Sequence, residues 1–289
     1  MRAPRSSRRR PTPRRPERSE RSRTSCARSA RSDRTRSARR SPSSESVTRD
    51  DGVGRLLALG LAAGDAGTLW AHFDAAERAG KTGHGHKRIA WLASQEFDPR
   101  ATPRRLERRE GFERWDAAGG LGYLALAAAV DSTLTDPPEG SRLVVIERCF
   151  PSGALGYWAR LLAEGGLVAL VTATSPRRLP HPEGGPPLTG TNPLAIAVPA
   201  SGGGPLVADV SMGAVTHGDV LAGLALPEEL VPFGGPHAHK AFALAAGLEM
   251  LVSALAGPAH GALVLVARPG HDPVPDFRSL AAGLRLPGG

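Results

Sequence analysis

Cysteine is almost absent from the 289 residues: Cys26 sits in an N-terminal tail and Cys149 in the remainder, so no internal disulfide framework is available and a reducing compartment fits. Long apolar runs are missing too. Stretches such as LVVI and LVALV fall far short of the ~20 residues that a membrane-spanning helix needs, and the expectation is a soluble, cytoplasmic protein without membrane association. The first 46 residues contain no Val, Ile, Leu, Phe, Tyr or Trp, cannot build a core, and imply a disordered Arg/Ser-rich tail over residues 1–48. No G-x-S-x-G elbow occurs, and Ser152 in FPSGA lacks its context, so a serine hydrolase is unsupported.

The net charge of +9 suggests nucleic-acid binding until it is located. Residues 1–50 hold seventeen Arg and five acids, a local net of +12, which leaves the rest of the chain at −3. A mildly acidic body argues against a basic groove tracking phosphates. Three readings of the tail stand open: a nucleic-acid arm, a transit peptide, or an extension without function. No apolar h-region marks a secretory signal. Glu17, Glu20, Asp33 and Glu45 weigh against a transit peptide. The heavy use of Ala, Gly, Arg and Pro suggests a GC-rich bacterial source, where a start codon placed too far upstream produces such tails, and the third reading is preferred.

Beyond the tail the chain alternates helical and strand-like segments. Residues 52–80 read as two helices separated at AAGDAG, 86–95 as another, and 119–134 as an Ala-rich helix. RLVVIER (142–148) is a short buried strand, YWARLLAEGG (157–166) a helix ended by glycine, and LVALVTAT (167–174) the next strand. Strand, helix, strand within about thirty residues is a βαβ unit and predicts a partly parallel sheet. NPLAIAVP and GPLVADVS add two strands, AFALAAGLEMLVSALAG a long helix, and ALVLVAR (262–268) a last strand. The class is α/β, as one domain over 49–289 with a helical part at about 49–135 and a cofactor-binding part at about 136–255.

GLGYLA (120–125) matches the dinucleotide fingerprint with Ala in the third glycine place. That fingerprint requires a strand immediately before it and an acid about twenty residues on. FERWDAA (112–118) is polar and does not read as a strand, so helix packing is the preferred role. The pairs His84/His86 and His237/His239 could hold a divalent ion, but no Cys or acid joins them at ligand spacing, and Lys87 and Lys240 adjoin them, so no metal is expected.

The stretch TGHGHKRIAW (82–91) places His84 four residues before Arg88. On a helix the two share one face. An imidazole there can take or give a proton, and a guanidinium one turn away can clamp a carboxylate with two parallel hydrogen bonds. The alternative is a solvated pair at a helix start.

Several segments, in order over roughly residues 52–268, resemble the malate/L-lactate dehydrogenase family, which is unrelated to Rossmann-type lactate dehydrogenases. GHGHKR is similar to its Ser-His-Gly-x-x-Arg motif, GGLGY to its Gly-Leu-Gly stretch, and SGALGYWARLLAEGGLVALVTATS to the turn, helix and strand that follow its second histidine. GTNPLAIAVP (190–199) stands intact, VADVS resembles Leu-Asp-x-Ser, and PFGGPHAHKAFALAAGLEML resembles the Pro-Phe-Gly-Gly and Lys-Gly-Tyr-Gly-Leu elements. The resemblance implies a non-Rossmann α/β fold with a mixed sheet and a helical N-terminal region. It implies a homodimeric oxidoreductase that uses NAD or NADP on a small 2-hydroxy acid or cyclic imino acid. His84 would be the proton donor and acceptor, Asp209 would orient it, and Arg88 would bind the substrate carboxylate. Gly153, Ala154, Thr174, Ser175, Gly190, Thr191, Asn192 and Lys240 would lie along the cofactor cleft. Four departures stand out: Gly83 replaces the motif serine, Pro151 the second histidine, and Ala241 and Ala243 two glycines. Pro151 and Gly83 motivate a rival reading, a dimeric binding protein that keeps the fold without turnover.

Overall fold

The structure, a computed structural model, describes residues 47–287. The expectation for residues 1–48 lies outside the described residues apart from Val47 and Thr48. Thr48 Oγ1 accepts from the Asp51 amide and so caps α1 (Arg49–Ala58), satisfying one of the free amides of its first turn. α2 (Ala63–Arg78) buries Leu69, Phe73 and Ala76 at helical spacing, together with one polar residue, His72. A short 3₁₀ turn (Thr82–His84) leads to α3 (Lys87–Ala93).

Next come β1 (Arg104–Arg109) and β2 (Phe112–Asp116), an antiparallel pair inside the segment read above as helical. Their charge hid them. β1 is exposed along its whole length at the sheet edge, where charged side chains discourage pairing with other chains. β2 buries Glu113 completely, and the carboxylate is met by Trp115 Nε1 at 2.9 Å and Arg142 Nη1 at 3.3 Å. A buried acid is tolerated only with such partners, and Arg142 lies on the neighbouring strand.

The chain continues through α4 (Gly122–Thr135), β3 (Ser141–Glu147), α5 (Leu155–Glu164), β4 (Val168–Ala173) and a small hairpin of β5 (Leu179–Pro180) and β6 (Pro187–Thr189). β7 (Leu194–Val198), β8 (Leu206–Val210), α6 (His217–Leu221), α7 (Ala238–Ala256), β9 (Ala262–Ala267) and α8 (Val274–Leu280) complete it. The main sheet runs β1-β2-β3-β9-β4-β7-β8. Among the described residues its one parallel pair is β2–β3, joined through α4, and the other pairs are antiparallel. The βαβ unit expected from β3, α5 and β4 is therefore altered: β9 enters between these two strands and pairs antiparallel with both. The mixed α/β fold is as expected.

β3 is apolar without alternation because both of its faces are covered. Val144 and Ile146 join the large core beneath α2, α4 and α5, while Val145 meets Val252 and Ala256 of α7 on the opposite face. α7 itself is long and apolar enough to cross a membrane by length and composition, although no single unbroken run showed it. It seats Ala241, Ala245, Val252 and Ala256 inward and leaves Leu244, Met250 and Leu251 exposed. Ala241 is buried without strain and Ala243 faces outward, so both methyl groups are accommodated and favour helix over glycine.

The strand β2 also removes the ground on which GLGYLA was set aside, since a strand does precede it. The conclusion stands on different evidence. A Cβ at Gly122 would lie 2.7 Å from Pro151 O, and one at Gly120 would lie 2.7 Å from the Ala101 Cβ. These glycines admit neighbouring protein rather than a pyrophosphate, and the sheet is not the parallel one that the fingerprint serves.

Candidate active site

The C-terminal ends of β3, β4 and β8 and the start of β7 lie at one end of the sheet and open on a cavity of about 320 Å³. That volume is at the lower end of the usual range for small-molecule sites, about 300–1,000 Å³. The segment Gly80–Trp91 forms one wall, Phe150–Leu155 the floor, and Thr216–Asp219 of α6 the facing wall. Seven of the residues named from the sequence meet here: His84, Arg88, Asp209, Gly153, Ala154, Ser175 and Thr191.

His84 and Arg88 do not share a helical turn as expected. His84 ends the 3₁₀ turn, the backbone kinks at Gly85 (φ −88°, ψ −147°), and α3 begins at Lys87. Both side chains still reach the cavity. Arg88 is buried, its Nε donates to Gly83 O at 2.8 Å, and its guanidinium lies 4.6 Å from the Trp91 ring centroid. The terminal nitrogens remain for a ligand. His84 Nδ1 is buried with no hydrogen-bond partner among the described residues. Burial, then Arg88, then Lys81 hold the His84 pKa down at about 3, while Asp219 opposes them, so the ring is neutral near pH 7.

Asp209 sits on β8 opposite Ala195 and against the first turn of α5, where a Cβ at Gly156 would lie 2.8 Å from Asp209 Oδ2. Its carboxylate accepts from Lys81 Nζ at 2.5 Å and makes no hydrogen bond to His84. The contact with His84 that the resemblance implies is therefore not made, and the Asp209 carboxylate is held instead by a lysine three residues before the histidine.

Of the remaining residues named from the sequence, Thr174, Gly190 and Asn192 stand behind the wall. Thr174 Oγ1 accepts from Gly261 N at 3.0 Å. Asn192, fully buried at φ 29°, donates to Ala245 O at 2.9 Å and Glu249 Oε2 at 2.7 Å. Its Oδ1 accepts from Ser175 N, and Ser175 Oγ accepts from Thr191 N at 3.2 Å. The intact GTN run thus builds a hydroxyl-bearing shelf rather than touching the cavity throughout. Lys240 is exposed near the start of α7 and does not line the cavity.

The departure at Gly83 has a steric cause. A Cβ there would stand 2.7 Å from the Gly218 carbonyl carbon and 3.0 Å from Asp219 N, so α6 occupies the space of a serine side chain. α6 is held by a capping box in which Asp219 Oδ2 accepts from Thr216 N and Oγ1, at 2.9 and 2.8 Å. Pro151 lines the floor.

Sequence reasoning passed over Lys81, Arg178, His217 and Asp219, all on the cavity, and His72 beneath it. His72 Nε2 accepts from Ala154 N at 3.1 Å, and the ring packs between Tyr123, Tyr157 and Trp158. Burial above all lowers its pKa to about 3. A histidine on the buried stripe of an amphipathic helix was the available signal for it. Thr-x-x-Asp at 216–219 was the one for α6. The pair His84/His86 serves two purposes: His86 stacks on Trp70 at 4.7 Å and faces Asp74. The rings of His237 and His239 lie 6.2 Å apart.

A family model described as malate/L-lactate dehydrogenase matches residues 52–226. The Delta(1)-pyrroline-2-carboxylate/Delta(1)-piperideine-2-carboxylate reductase of Pseudomonas putida is 34% identical over 212 residues, which is 63% of this chain and 61% of that protein. A (2R)-3-sulfolactate dehydrogenase (NADP(+)) from Chromohalobacter salexigens is 34% identical over 53% of this chain and 48% of its own length. The chain spans about three fifths of the length of the first of these relatives. The crystal structure of delta1-piperideine-2-carboxylate reductase from Pseudomonas syringae pv. tomato superposes with a TM-score of 0.71 at 27% identity, covering 84% of this chain and 90% of that one. With the ordered motifs, the mixed sheet and the cavity at its strand ends, this match establishes that the chain belongs to the malate/L-lactate dehydrogenase family.

Proposed function

We propose that this protein is an oxidoreductase that moves a hydride between NAD or NADP and C2 of a small 2-hydroxy/2-oxo acid or a cyclic imino acid. The observation that carries the reading is the meeting of a neutral, buried imidazole and a guanidinium with free terminal nitrogens in one small cavity. Trp91, Tyr123, Phe150 and Pro151 provide flat apolar walls, and Ser175 and Thr191 a rim of hydroxyls, a combination that suits a nicotinamide ring and its carboxamide. When bound, the nicotinamide supplies or accepts the hydride.

Arg88 holds the substrate carboxylate, with Nε fixed by Gly83 O and the ring of Trp91 behind it. His84 takes the proton from the substrate O–H or N–H in oxidation and returns one in reduction. Being neutral near pH 7, the ring is free to accept in the first task. A carboxylate on Arg88 offsets one of the two cations that depress the ring and brings it back toward the range needed for the second. Lys81 and Asp209 hold each other beside the ring. The relative named for Δ1-pyrroline-2-carboxylate reduction supports the imino-acid side, and the sulfolactate dehydrogenase supports the hydroxy-acid side.

Oxidation of NADH and NADPH with a panel of cyclic imines and 2-oxo acids tests the reading. His84→Ala should lower kcat by ~100-fold or more, the usual scale for a lost general acid–base, with an unchanged circular dichroism spectrum. A variant that turns over at the wild-type rate removes His84 from this role, and a wild-type protein inert across the panel favours a binding function.

The exposed apolar side of α7, with Leu244, Met250 and Leu251, supports a homodimer. Sedimentation velocity should give a dimer for the wild type and a monomer for Met250→Lys/Leu251→Lys; a monomeric wild type refutes the assembly.

A further inference from the structure

Arg178 follows β4 and lines the same cavity as Arg88. Its backbone is tied down, because Arg178 N donates to Thr189 O at 2.8 Å and anchors the β5–β6 hairpin. Its side chain is not. The guanidinium is half-buried, forms no ion pair, and makes no hydrogen bond among the described residues. Taking even half of a cation out of water without a protein partner is unfavourable, and an anion bound in the cavity would offset that cost.

The cavity offers no free acid to meet it. Its two carboxylates are both engaged, Asp209 by Lys81 and Asp219 by Thr216 at the start of α6. Arg178 lines the cavity together with Arg88 and with His217, an uncharged ring on the facing wall, and lies within electrostatic reach of both. Burial and then the like charge of Arg88 both lower the Arg178 pKa, and no acid raises it. An arginine nonetheless stays charged in a protein. A cavity of about 320 Å³ therefore presents two guanidiniums and lacks a protein anion for either.

We infer that Arg178 is a specificity residue that receives a second acidic group of the substrate, so that the site selects a dianionic 2-hydroxy or 2-oxo acid over a monoanionic one. The inference rests on the reading of the site given above, with Arg88 taking the carboxylate next to C2 and Arg178 the distal carboxylate or sulfonate. His217, neutral beside it, can donate a further hydrogen bond to the same oxygens.

Malate and lactate make a minimal pair, differing by a carboxylate in place of a hydrogen. Oxidation of both enantiomers of each with NAD and NADP, by wild type, Arg178→Leu and Arg178→Lys, is the test. The expected result is a wild-type kcat/KM for malate at least ~10-fold above that for lactate. Arg178→Leu should lower the malate value ~10- to 100-fold, the scale of a lost charged hydrogen-bonding pair, and the lactate value less than ~3-fold. Arg178→Lys should restore part of the preference, and the KM for the cofactor should stay in place. An equal fall on both acids, no change on either, or a rise confined to the cofactor KM overturns the inference; the last outcome assigns Arg178 to a cofactor phosphate. Should none of these acids turn over, the dehydrogenase reading fails separately, and isothermal titration of malate and lactate still decides this one. Tighter malate binding that Arg178→Leu abolishes supports it, and equal or undetectable binding of the two refutes it.

Discussion

At the floor of the cavity Gly153 turns between His72 and Tyr123 with no room for a methyl group, whereas at the rim the side chains of Arg178 and His217 make no hydrogen bond among the described residues. The floor is closed by packing. Tyr123, Leu155 and Trp158 are almost wholly buried, and the one polar side chain among them, His72, is neutral and bonded to the Ala154 amide. The rim is half-exposed, charged and incompletely paired. Groups of the first kind hold the backbone of Ser152–Leu155 in place. Groups of the second kind hold no part of the backbone and face the cavity. In this molecule the same cavity thus separates what keeps its shape from what gives it chemistry.

The largest effect should come from breaking the floor. Gly153 has φ 75°, and a Cβ there would lie 2.3 Å from Tyr123 Cε1 and 2.5 Å from His72 Nε2. Gly153→Ala combines a disfavoured backbone conformation with overpacking and should cost about 2–5 kcal/mol. For a domain of this size that is a drop in Tm of roughly 5–15 °C. Thermal denaturation followed by circular dichroism checks it, and a Tm within 2 °C of wild type would remove the floor from its structural role. Arg178→Leu, at the rim, should by contrast leave Tm in place, since it removes a like charge from Arg88 and breaks no bond.

A smaller effect sharpens the same contrast through pH. The folded-state pKa of His72 lies at about 3 and the unfolded value at 6.5, so below pH 6.5 the unfolded chain binds the extra proton. The stability that a neutral His72 contributes is complete above pH 6.5 and is lost as pH falls toward 3, at up to ~1.4 kcal/mol per pH unit. Replacing it with glutamine, His72→Gln, supplies an oxygen acceptor for the Ala154 amide without a titration in this range. Urea unfolding between pH 7 and pH 4.5 should show a shallower loss of stability in the variant, carboxylate contributions being common to both. Parallel slopes would mean that His72 is not buried neutral.

Particular elements show how far the amino-acid order could be read. The helices α4, α5 and α7 and the strands β3, β4, β7, β8 and β9 were legible because their apolar residues repeat at helical spacing or in short β-branched runs. β1 and β2 were not, because RRLERR and FERWD are polar, and the partner of the buried Glu113, Arg142 of β3, is remote in the chain. At the site, His84 and Arg88 were named from local spacing together with the family resemblance, although the helix assumed between them is broken at Gly85. Lys81, Arg178 and His217 were passed over, since nothing in their immediate neighbours distinguishes them from surface residues, and Asp219 was passed over although Thr-x-x-Asp marks a helix start there.

The order of residues alone settled the family, the mixed α/β class and the candidate pair His84 and Arg88, because motifs and periodicity are carried by neighbours along the chain. Which strands lie side by side, that Lys81 rather than His84 holds Asp209, and that α6 fills the place of a serine at Gly83 were decided only in three dimensions. Each of these depends on a close approach between groups far apart in the chain: 128 positions separate Lys81 from Asp209, and no local pattern encodes that distance.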